Sequence, residues 1–308
     1  MSVPHQLAAR LRTGVLAFPA TPFSEDGSLD VSALERHVSA IARNRPVALV
    51  PAGGAGELFS LDTDEHKAVI EAAVAAADGL PVIAGVGGGL GAARRQARNA
   101  ERAGASGLLL LPPYLITADQ EGLAAFVQAI ATATSLPLIL YSRDNGVFRA
   151  DTALRLADAC PTLIGVKDGT GDLDLMLEMS RRASPRLVMI NGAPTAEMLA
   201  AQAFAIGITA YSSAVFAFAP TIAQSFYDAV ASNDRARQNT LLDDFYLPYS
   251  IIRRRRAGNA VSIVKAGLKA TGQYAGRVRP PLLDLSDAEC AELAALIDRG
   301  LALTRRAA

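Results

Sequence analysis

Short apolar runs alternate along the chain with longer segments of helical composition. Eight of these runs are rich in β-branched residues and flanked by Gly or Pro, which favours buried parallel strands over buried helices. They occupy residues 14–20, 46–53, 80–87, 106–113, 136–142, 162–168, 186–192 and 205–213. Each run is followed by a segment rich in Ala, Leu, Arg and Glu, the last of them at 220–232. The pattern therefore predicts eight βα units.

Eight βα units over roughly 220 residues predict an α/β protein with a (β/α)8 TIM barrel fold, with an open doubly wound sheet as the alternative. Asp30 is a predicted helix N-cap, and so is either Asp62 or Thr63. After residue 232 the strand pattern stops and helical segments follow. We expect residues 1–232 to form the barrel and residues 233–308 a C-terminal helical extension packed on it.

The composition limits the classes of function. The 308 residues are 51% hydrophobic and 19% charged, with a formal net charge of zero, so we expect a well-buried core and neither nucleic acid nor a membrane as partner. Cys160 and Cys290 have no metal or redox spacing and fit a reducing compartment. We find no apolar stretch of signal-peptide or membrane-spanning length. These features predict a soluble, cytoplasmic protein.

The sequence LIGVKDGTGD, residues 163–172, places Lys167 at the predicted end of the sixth strand. Barrel active sites are built at the C-terminal ends of the strands, and Tyr141 ends the neighbouring fifth strand. In a mostly apolar pocket the ammonium form of a lysine is disfavoured, so the amine becomes a nucleophile for carbonyls, and a nearby phenol can transfer protons. Alternatively, Lys167 extends to the barrel rim or pairs with Asp168.

Two glycine-rich stretches follow the second and third predicted strands. The backbone N–H groups of PAGGAGELFSL, residues 51–61, can hold a carboxylate or phosphate, but a tight βα turn would use the same glycines. This stretch lacks the ending of a Walker loop, and GVGGGLG, residues 85–91, is only superficially similar to a dinucleotide fingerprint. We therefore predict no nucleotide cofactor.

The remaining candidate motifs point to no further chemistry. The run RRRR, residues 253–256, fits a solvated or subunit-facing helix better than a nucleic-acid patch, because no other basic run accompanies it. His5, His37 and His66 have no ligand spacing, so we predict no metal site. A serine hydrolase would carry a GxSxG elbow, which this sequence lacks.

Four features resemble the dihydrodipicolinate synthase/N-acetylneuraminate lyase superfamily. They are AFPATPF at 17–23, the GG-x-GE loop at 53–57, the tyrosine that closes the fifth strand, and GVKDGTGD around the sixth-strand lysine. Its members are Schiff-base-forming class I aldolases and dehydratases on (β/α)8 barrels, and the resemblance extends from about residue 10 to the C-terminus. It implies that Lys167 is the imine-forming lysine, that Tyr141 is the proton-relay phenol, and that no metal or organic cofactor is needed.

Four longer motifs resemble one branch of that superfamily, the decarboxylating dehydratases that act on 5-dehydro-4-deoxy-D-glucarate. They are YSRDNGVF at 141–148, AYSSAVFAFAP at 210–220, AVSIVKAGLKATG at 260–272 and AGRVRPPLLDL at 275–285. The resemblance implies a lyase that forms 2,5-dioxopentanoate, water and CO2, and a homotetramer. The alternatives are another class I aldolase or lyase of the superfamily, acting on a 2-keto-3-deoxy sugar acid, and a barrel that binds a 2-keto acid without turning it over.

Two positions depart from the superfamily pattern. Ala55 stands in the glycine loop where members usually carry a hydroxyl residue, so the substrate carboxylate would depend on the backbone N–H groups of Gly54 and Ala55. Synthases borrow a second tyrosine from a neighbouring subunit, and the equivalent PPYL supplies Tyr114 followed by Leu115. Proton transfer would then depend on Tyr141, water and groups of the substrate.

Barrel geometry places the rest of the substrate at the ends of the seventh and eighth strands. The predicted binding residues there are Asn191, Gly192, Thr209 and Ser212. Their alternative role is turn capping. Arg143 could hold a carboxylate with two hydrogen bonds, or pair with Asp144 or with another subunit.

Overall fold

The structure is a computed structural model that describes residues 3–305. Its eight parallel strands are β1 (Thr13–Ala17), β2 (Ala48–Leu49), β3 (Ile83–Val86), β4 (Gly107–Leu110), β5 (Leu138–Ser142), β6 (Leu163–Asp168), β7 (Val188–Asn191) and β8 (Thr209–Ser213). They pair in the order β2-β1-β8-β7-β6-β5-β4-β3, and a parallel bridge between Leu49 and Val82 brings the two ends of this order together. The predicted (β/α)8 TIM barrel is confirmed, and the open doubly wound sheet is excluded.

The strands are followed in turn by α2 to α9, and further helices complete the chain. The helices are α1 (Val3–Arg10), α2 (Val31–Ala42), α3 (Thr63–Ala76), α4 (Leu90–Arg102), α5 (Gln120–Ala131), α6 (Ala150–Ala159), α7 (Leu173–Ala183), α8 (Ala200–Ala205), α9 (Pro220–Ala231), α10 (Arg235–Leu241), α11 (Leu247–Arg254), α12 (Asn259–Ala270) and α13 (Asp287–Arg305). A π-helical segment, Leu242–Tyr246, joins α10 to α11. Within residues 3–305, none of these helices combines the length and the apolar character needed to cross a membrane.

The two predicted N-caps have the expected geometry. The Asp30 carboxylate accepts a hydrogen bond from the Ala33 N–H at 2.8 Å. Asp62, rather than Thr63, caps α3: its carboxylate accepts from the Glu65 N–H, and the Glu65 carboxylate accepts in return from the Asp62 N–H. Each cap satisfies N–H groups that have no partner within the first helical turn.

The strands have apolar side chains on both faces, and this produces two cores. The inner core fills the barrel and includes Leu16, Ile83, Leu109, Ile139 and Ile190, whereas the outer core lies between strands and helices. Leu7 and Leu11, from α1 and the turn that follows it, also belong to the inner core. The hydrophobic pattern of the chain did not predict this helix, which closes the N-terminal end of the barrel.

Several predicted runs are longer than the strands they contain. In 46–53 and 106–113 the apolar residues continue past the last paired residue into Pro-containing loops, because proline has no N–H to extend the ladder. The run 205–213 begins too early: its first four residues finish α8 and form a turn, and Thr209 is the first residue of β8. Thr209 therefore lies at the N-terminal end of its strand.

The C-terminal helices lie against the barrel near β8. Helix α13 contacts α9, α11 and α12, and α12 contacts the short turn Val215–Ala217 that follows β8. Gly267 permits a close approach of α12 to Phe218, since a Cβ there would lie 2.6 Å from the Phe218 ring. The packing brings α11 and α12 to the face of the barrel where the strands end.

Candidate active site

Lys167 and Tyr141 lie side by side inside the barrel. Their Cα atoms are register partners in the β5–β6 pair, and the Tyr141 ring belongs to the inner core. The Lys167 Nζ lies 3.5 Å from the centroid of the Tyr141 ring, 5.4 Å from that of Phe18, and 3.4 Å from the Gly192 carbonyl oxygen. The amine thus stands among two aromatic rings and one carbonyl at the ends of β5, β6 and β7.

The environment of Lys167 favours the neutral amine. Lys167 is only 3% exposed, and no carboxylate oxygen among residues 3–305 lies within 4 Å of its Nζ. Burial lowers the pKa of Lys167 below its ordinary 10.5, and the Arg143 charge adds to the decrease, while Tyr141 and Asp168 oppose it. A larger share of lysine is therefore unprotonated and nucleophilic than in water.

Tyr141 is held by a charged neighbour. Its hydroxyl accepts a hydrogen bond from Arg143 Nη1 at 3.0 Å, and Arg143 Nε in turn lies 2.7 Å from Asp144 Oδ2. Burial by itself raises the pKa of Tyr141, but the charges of Lys167 and Arg143 outweigh it and bring the pKa below the ordinary 10.0. A phenol with a lowered pKa exchanges protons more readily near neutral pH.

Asp168 does not act as the counter-ion of Lys167. Its Oδ1 accepts hydrogen bonds from the Thr170 N–H, the Thr170 hydroxyl and the Gly171 N–H. These bonds form the turn after β6. The two alternative positions of Lys167, at the rim and paired with Asp168, are therefore not those of the structure.

Two glycines are required by the close packing around the lysine. A Cβ on Gly192 would lie 2.4 Å from Lys167 Nζ, and a Cβ on Gly53 would lie 2.8 Å from the Phe18 ring. Real Cβ atoms do not approach other atoms so closely, so either side chain would move the lysine or its aromatic neighbour.

The glycine loop between β2 and α3 is fixed by a buried ion pair. Glu57, with a φ of 55°, is fully buried, and its Oε1 lies 2.7 Å from Lys265 Nζ. Its Oε2 accepts from the Arg279 N–H at 3.1 Å. Residues of α12 and of the segment after it thus hold the loop against the barrel. Among the hydrogen bonds of residues 3–305, the N–H groups of Gly54 and Ala55 donate none.

A cavity of about 400 Å³ opens above Lys167, within the usual range for small-molecule sites. It is lined by Phe18, Gly54, Ala55, Phe59, Leu111, Pro112, Pro113, Tyr114, Leu115, Tyr141, Arg143, Asp144, Asn145, Lys167, Gly192, Ala193, Pro194, Thr195, Ala196, Glu197, Ser212, Ala214, Val215, Tyr249, Arg253, Ala260 and Val261. The lining comes from the loops after the strands and from α11 and α12. It combines apolar walls with a few polar groups.

The structure brings together most of the predicted site residues. Lys167, Tyr141, Gly54, Ala55, Gly192 and Ser212 all line the cavity. Asn191 is fully buried behind it, where its side chain bonds the Ala196 carbonyl and the Ala193 N–H. Thr209 lies at the opposite end of β8 and donates to the Arg12 carbonyl. Asn191 therefore shapes the turn after β7, and Thr209 is outside the site.

The lining also contains polar residues that were not predicted, among them Glu197, Tyr249 and Arg253. The Glu197 carboxylate accepts a hydrogen bond from the Ser213 hydroxyl at 2.5 Å, and burial raises the pKa of Glu197 to about 7. The only signal for Arg253 in the sequence was the run RRRR, which indicates a charged helix and carries no information about the direction of each side chain. Glu197 and Tyr249 had no signal beyond their residue type.

The cavity offers no evident metal site. Nowhere in residues 3–305 do three His, Cys, Asp or Glu side chains group closely enough to hold an ion. Its distinctive chemical group is a buried lysine. The fold and this lysine define a (β/α)8 barrel that can form an imine with a carbonyl compound.

The sequence matches a known family over nearly its whole length. The model of the dihydrodipicolinate synthetase family matches residues 11–299, and the chain belongs to this family. A probable 5-dehydro-4-deoxyglucarate dehydratase of Saccharopolyspora erythraea is 52% identical over 295 residues, 96% of each chain. A relative of the same name from Rhizobium rhizogenes is 46% identical over 96% of this chain and 98% of its own.

Solved structures agree with the fold. The crystal structure of dihydrodipicolinate synthase from Oceanobacillus iheyensis has a TM-score of 0.88 at 23% identity, over 98% of this chain and all of that one. The synthase from Bacillus clausii has a TM-score of 0.87 at 26% identity, over 95% of this chain and 99% of that one. The likeness to the first is one of fold alone.

Proposed function

We propose that the chain dehydrates and decarboxylates 5-dehydro-4-deoxy-D-glucarate to 2,5-dioxopentanoate, water and CO2. The observation that carries this proposal is Lys167, a buried amine 3.5 Å from the Tyr141 ring centroid that has no carboxylate partner among residues 3–305. The names of the relatives at 46–52% identity supply the substrate. A barrel that only binds a 2-keto acid is not retained, because these relatives are named as probable dehydratases.

The first half of the reaction prepares the elimination. Lys167 Nζ attacks the ketone carbon of the substrate, and loss of water gives an iminium ion. Tyr141 lies against the amine and exchanges the protons of this step. The iminium acidifies the adjacent CH2, and the enamine that forms expels the β-hydroxyl as water. The product of this half is an α,β-unsaturated iminium.

The second half uses the conjugated iminium as an electron sink. The bond to the distal carboxylate breaks, CO2 leaves, and its electron pair enters the conjugated system to leave an enol. Tautomerisation of the enol gives an aldehyde, and protonation of the enamine carbon restores the iminium. Hydrolysis of the iminium frees Lys167 and 2,5-dioxopentanoate. The substrate dianion and one proton become a monoanion, CO2 and water. Every step uses the lysine adduct, so the proposal includes no metal or organic cofactor.

The carboxylate beside the ketone has a place in this scheme. The N–H groups of Gly54 and Ala55 lie in the cavity lining without other acceptors among residues 3–305, and backbone N–H groups of such loops bind anions. Ser212 and Gly192 line the same cavity at the ends of β8 and β7. We assign these four residues to substrate binding.

The proposal extends to the assembly and organisation of the chain. Tyr114, Leu115 and Ile116, on the loop after β4, are 48%, 105% and 61% exposed, and such an apolar loop favours contact with another subunit. We propose a cytoplasmic homotetramer. We further propose that residues 1–232 form the barrel domain and 233–308 an extension packed on it.

The test combines trapping with product analysis. The protein is mixed with 5-dehydro-4-deoxy-D-glucarate, released CO2 is measured, and borohydride followed by peptide mass mapping locates the adduct. We expect CO2 together with an adduct on Lys167 that is absent from Lys167→Ala. Pyruvate release from a 2-keto-3-deoxy sugar acid, without CO2 from the glucarate compound, would favour an aldolase. An adduct on another lysine would overturn the assignment of the site.

A further inference from the structure

Arg253 differs from the three arginines that follow it. Arg254 Nε bonds the Ser250 carbonyl at 3.2 Å, Arg255 lies 2.9 Å from Glu292, and Arg256 bonds the Asp284 carbonyl at 2.6 Å. Arg253 lines the cavity, and its side chain has no hydrogen bond and no carboxylate within 4 Å among the described residues. The first arginine of the run therefore presents an unpaired guanidinium to the site.

The acid that Arg253 faces does not neutralise it. Glu197 and Tyr249 are the titratable groups on which the Arg253 charge acts. Burial raises the pKa of Glu197 to about 7, although the Ser213 hydrogen bond and the Arg253 charge both oppose the increase. Near neutral pH much of Glu197 is thus uncharged. A half-buried cation without a compensating charge favours the binding of an anion.

The other arginine of the cavity is already occupied. Arg143 donates to the Tyr141 hydroxyl at 3.0 Å and lies 2.7 Å from Asp144. The carboxylate beside the ketone is assigned to the backbone of Gly54 and Ala55. A six-carbon dicarboxylate needs a second anion site, and Arg253 is the cation of the lining that remains free.

We propose that Arg253 binds the distal carboxylate of the substrate and thereby selects dicarboxylates over 2-keto acids with a neutral end. This inference rests on the proposed function, since the distal carboxylate is the group lost as CO2. A guanidinium binds a carboxylate through two parallel hydrogen bonds, which lysine cannot reproduce. The product 2,5-dioxopentanoate carries an aldehyde at that end, so it loses the contact and is bound more weakly than the substrate.

The experiment compares Arg253→Met and Arg253→Lys with Arg254→Met, a control one position along the same helix. Substrate turnover is followed by CO2 release. Adducts with pyruvate and with 2-oxohexanedioate, which has both carboxylates and neither hydroxyl, are trapped with borohydride over a range of concentrations. The second ligand tests the anion site without requiring turnover.

For Arg253→Met we expect kcat/KM for the glucarate compound to fall about 100-fold, mainly through KM, as expected for loss of one partner of a desolvated charge pair. The concentration of 2-oxohexanedioate needed for half-maximal trapping rises by a similar factor, and that of pyruvate stays within about twofold. Arg253→Lys recovers part of the loss. Arg254→Met behaves as the wild type in all three assays.

Two results would overturn the inference. In one, Arg253→Met traps 2-oxohexanedioate as well as the wild type does. In the other, the trapping of pyruvate and that of 2-oxohexanedioate by Arg253→Met weaken to the same extent, which would make Arg253 a structural residue. Failure of the proposed function has a separate signature, namely a wild-type protein that traps both ligands but releases no CO2 from the glucarate compound.

Discussion

Lys167 and Lys265 are both buried, and their partners give them different roles. Lys265 Nζ lies 2.7 Å from Glu57 and bonds the Arg277 carbonyl, whereas the Lys167 amine lies near the Gly192 carbonyl and two aromatic rings. Burial lowers the pKa of both lysines, but the Glu57 carboxylate opposes the decrease for Lys265. The Lys167 amine is therefore free to react, and the Lys265 amine stabilises the glycine loop.

Substitution by methionine should separate these roles. Lys167→Met should form no imine with pyruvate and should unfold at a denaturant concentration equal to or above that of the wild type, because it removes an unpaired buried amine. Lys265→Met should lose about 3–5 kcal/mol of unfolding free energy, since it leaves Glu57 buried without its partner. Urea unfolding and borohydride trapping measure the two effects.

Adding Glu57→Gln to Lys265→Met is the control for this comparison, because it removes the stranded charge. The double variant should recover part of the lost stability. Equal stability of Lys265→Met and the wild type would contradict the role given to the buried pair.

At the scale of elements, the glycine loop depends on a segment distant in sequence. The Arg279 side chain bonds the Gly27 and Ser60 carbonyls and the Glu65 carboxylate. Glu65 is also the capping-box residue of α3. The Arg279 hydrogen bond is the largest cause of the lowered pKa of Glu65. One guanidinium thus joins the loop before α2, the glycine loop and α3.

Arg279→Met should therefore destabilise the loop as well as the protein. We expect a loss of about 2–4 kcal/mol in the free energy of unfolding, since several hydrogen bonds of a largely buried guanidinium are removed. Arg277→Met is the matched control: it removes an ion pair of a side chain that is 82% exposed, and such pairs contribute about 0–1 kcal/mol. A loss in Arg277→Met as large as that in Arg279→Met would argue against this account.

At the scale of the whole molecule, His37 and Glu197 make opposite contributions to the dependence of stability on pH. Burial lowers the pKa of His37 to about 4, and its Nε2 accepts a hydrogen bond from the Ala20 N–H. The stability that neutral His37 contributes to the folded state is fully present above the unfolded pKa of 6.5 and is lost as the pH falls through 4. Burial raises the pKa of Glu197 to about 7. The stability that protonated Glu197 contributes is fully present below pH 4.5 and is lost as the pH rises through 7.

The substitution Glu197→Gln should isolate the contribution of Glu197 to the dependence of stability on pH. Between pH 4.5 and 7 the unfolded wild-type chain releases the Glu197 proton while the folded protein keeps it, so rising pH lowers the stability by about 1.4 kcal/mol per unit. Because glutamine has no proton to release, the unfolding free energy of the variant should rise by about 3 kcal/mol relative to that of the wild type between pH 4.5 and 7. Chemical denaturation at several pH values measures the difference, and Glu25→Gln, at an exposed carboxylate, is the control.

The Glu197 carboxyl faces Ser213, Arg253 and three buried tyrosines, Tyr211, Tyr246 and Tyr249. The pKa of each of these tyrosines is raised above 10 by burial, so none of them titrates in the interval. A pH-independent difference between Glu197→Gln and the wild type would show that the carboxyl is not protonated in the folded state.

The sequence by itself determined the barrel, the Asp30 helix cap and the pairing of Lys167 with Tyr141, because each depends on local pattern and on the order of neighbouring parallel strands. The tertiary structure decided which polar residues reach the cavity. Thr209 and Ser212 lie in one strand at opposite ends, and Arg253 and Arg254 are adjacent on one helix with different partners. Such differences depend on where strand pairing begins and on how α11 packs, and both are set by residues distant in sequence. The Glu57–Lys265 pair is of the same kind, since burial and long-range contact, rather than residue type, give a charged side chain its role.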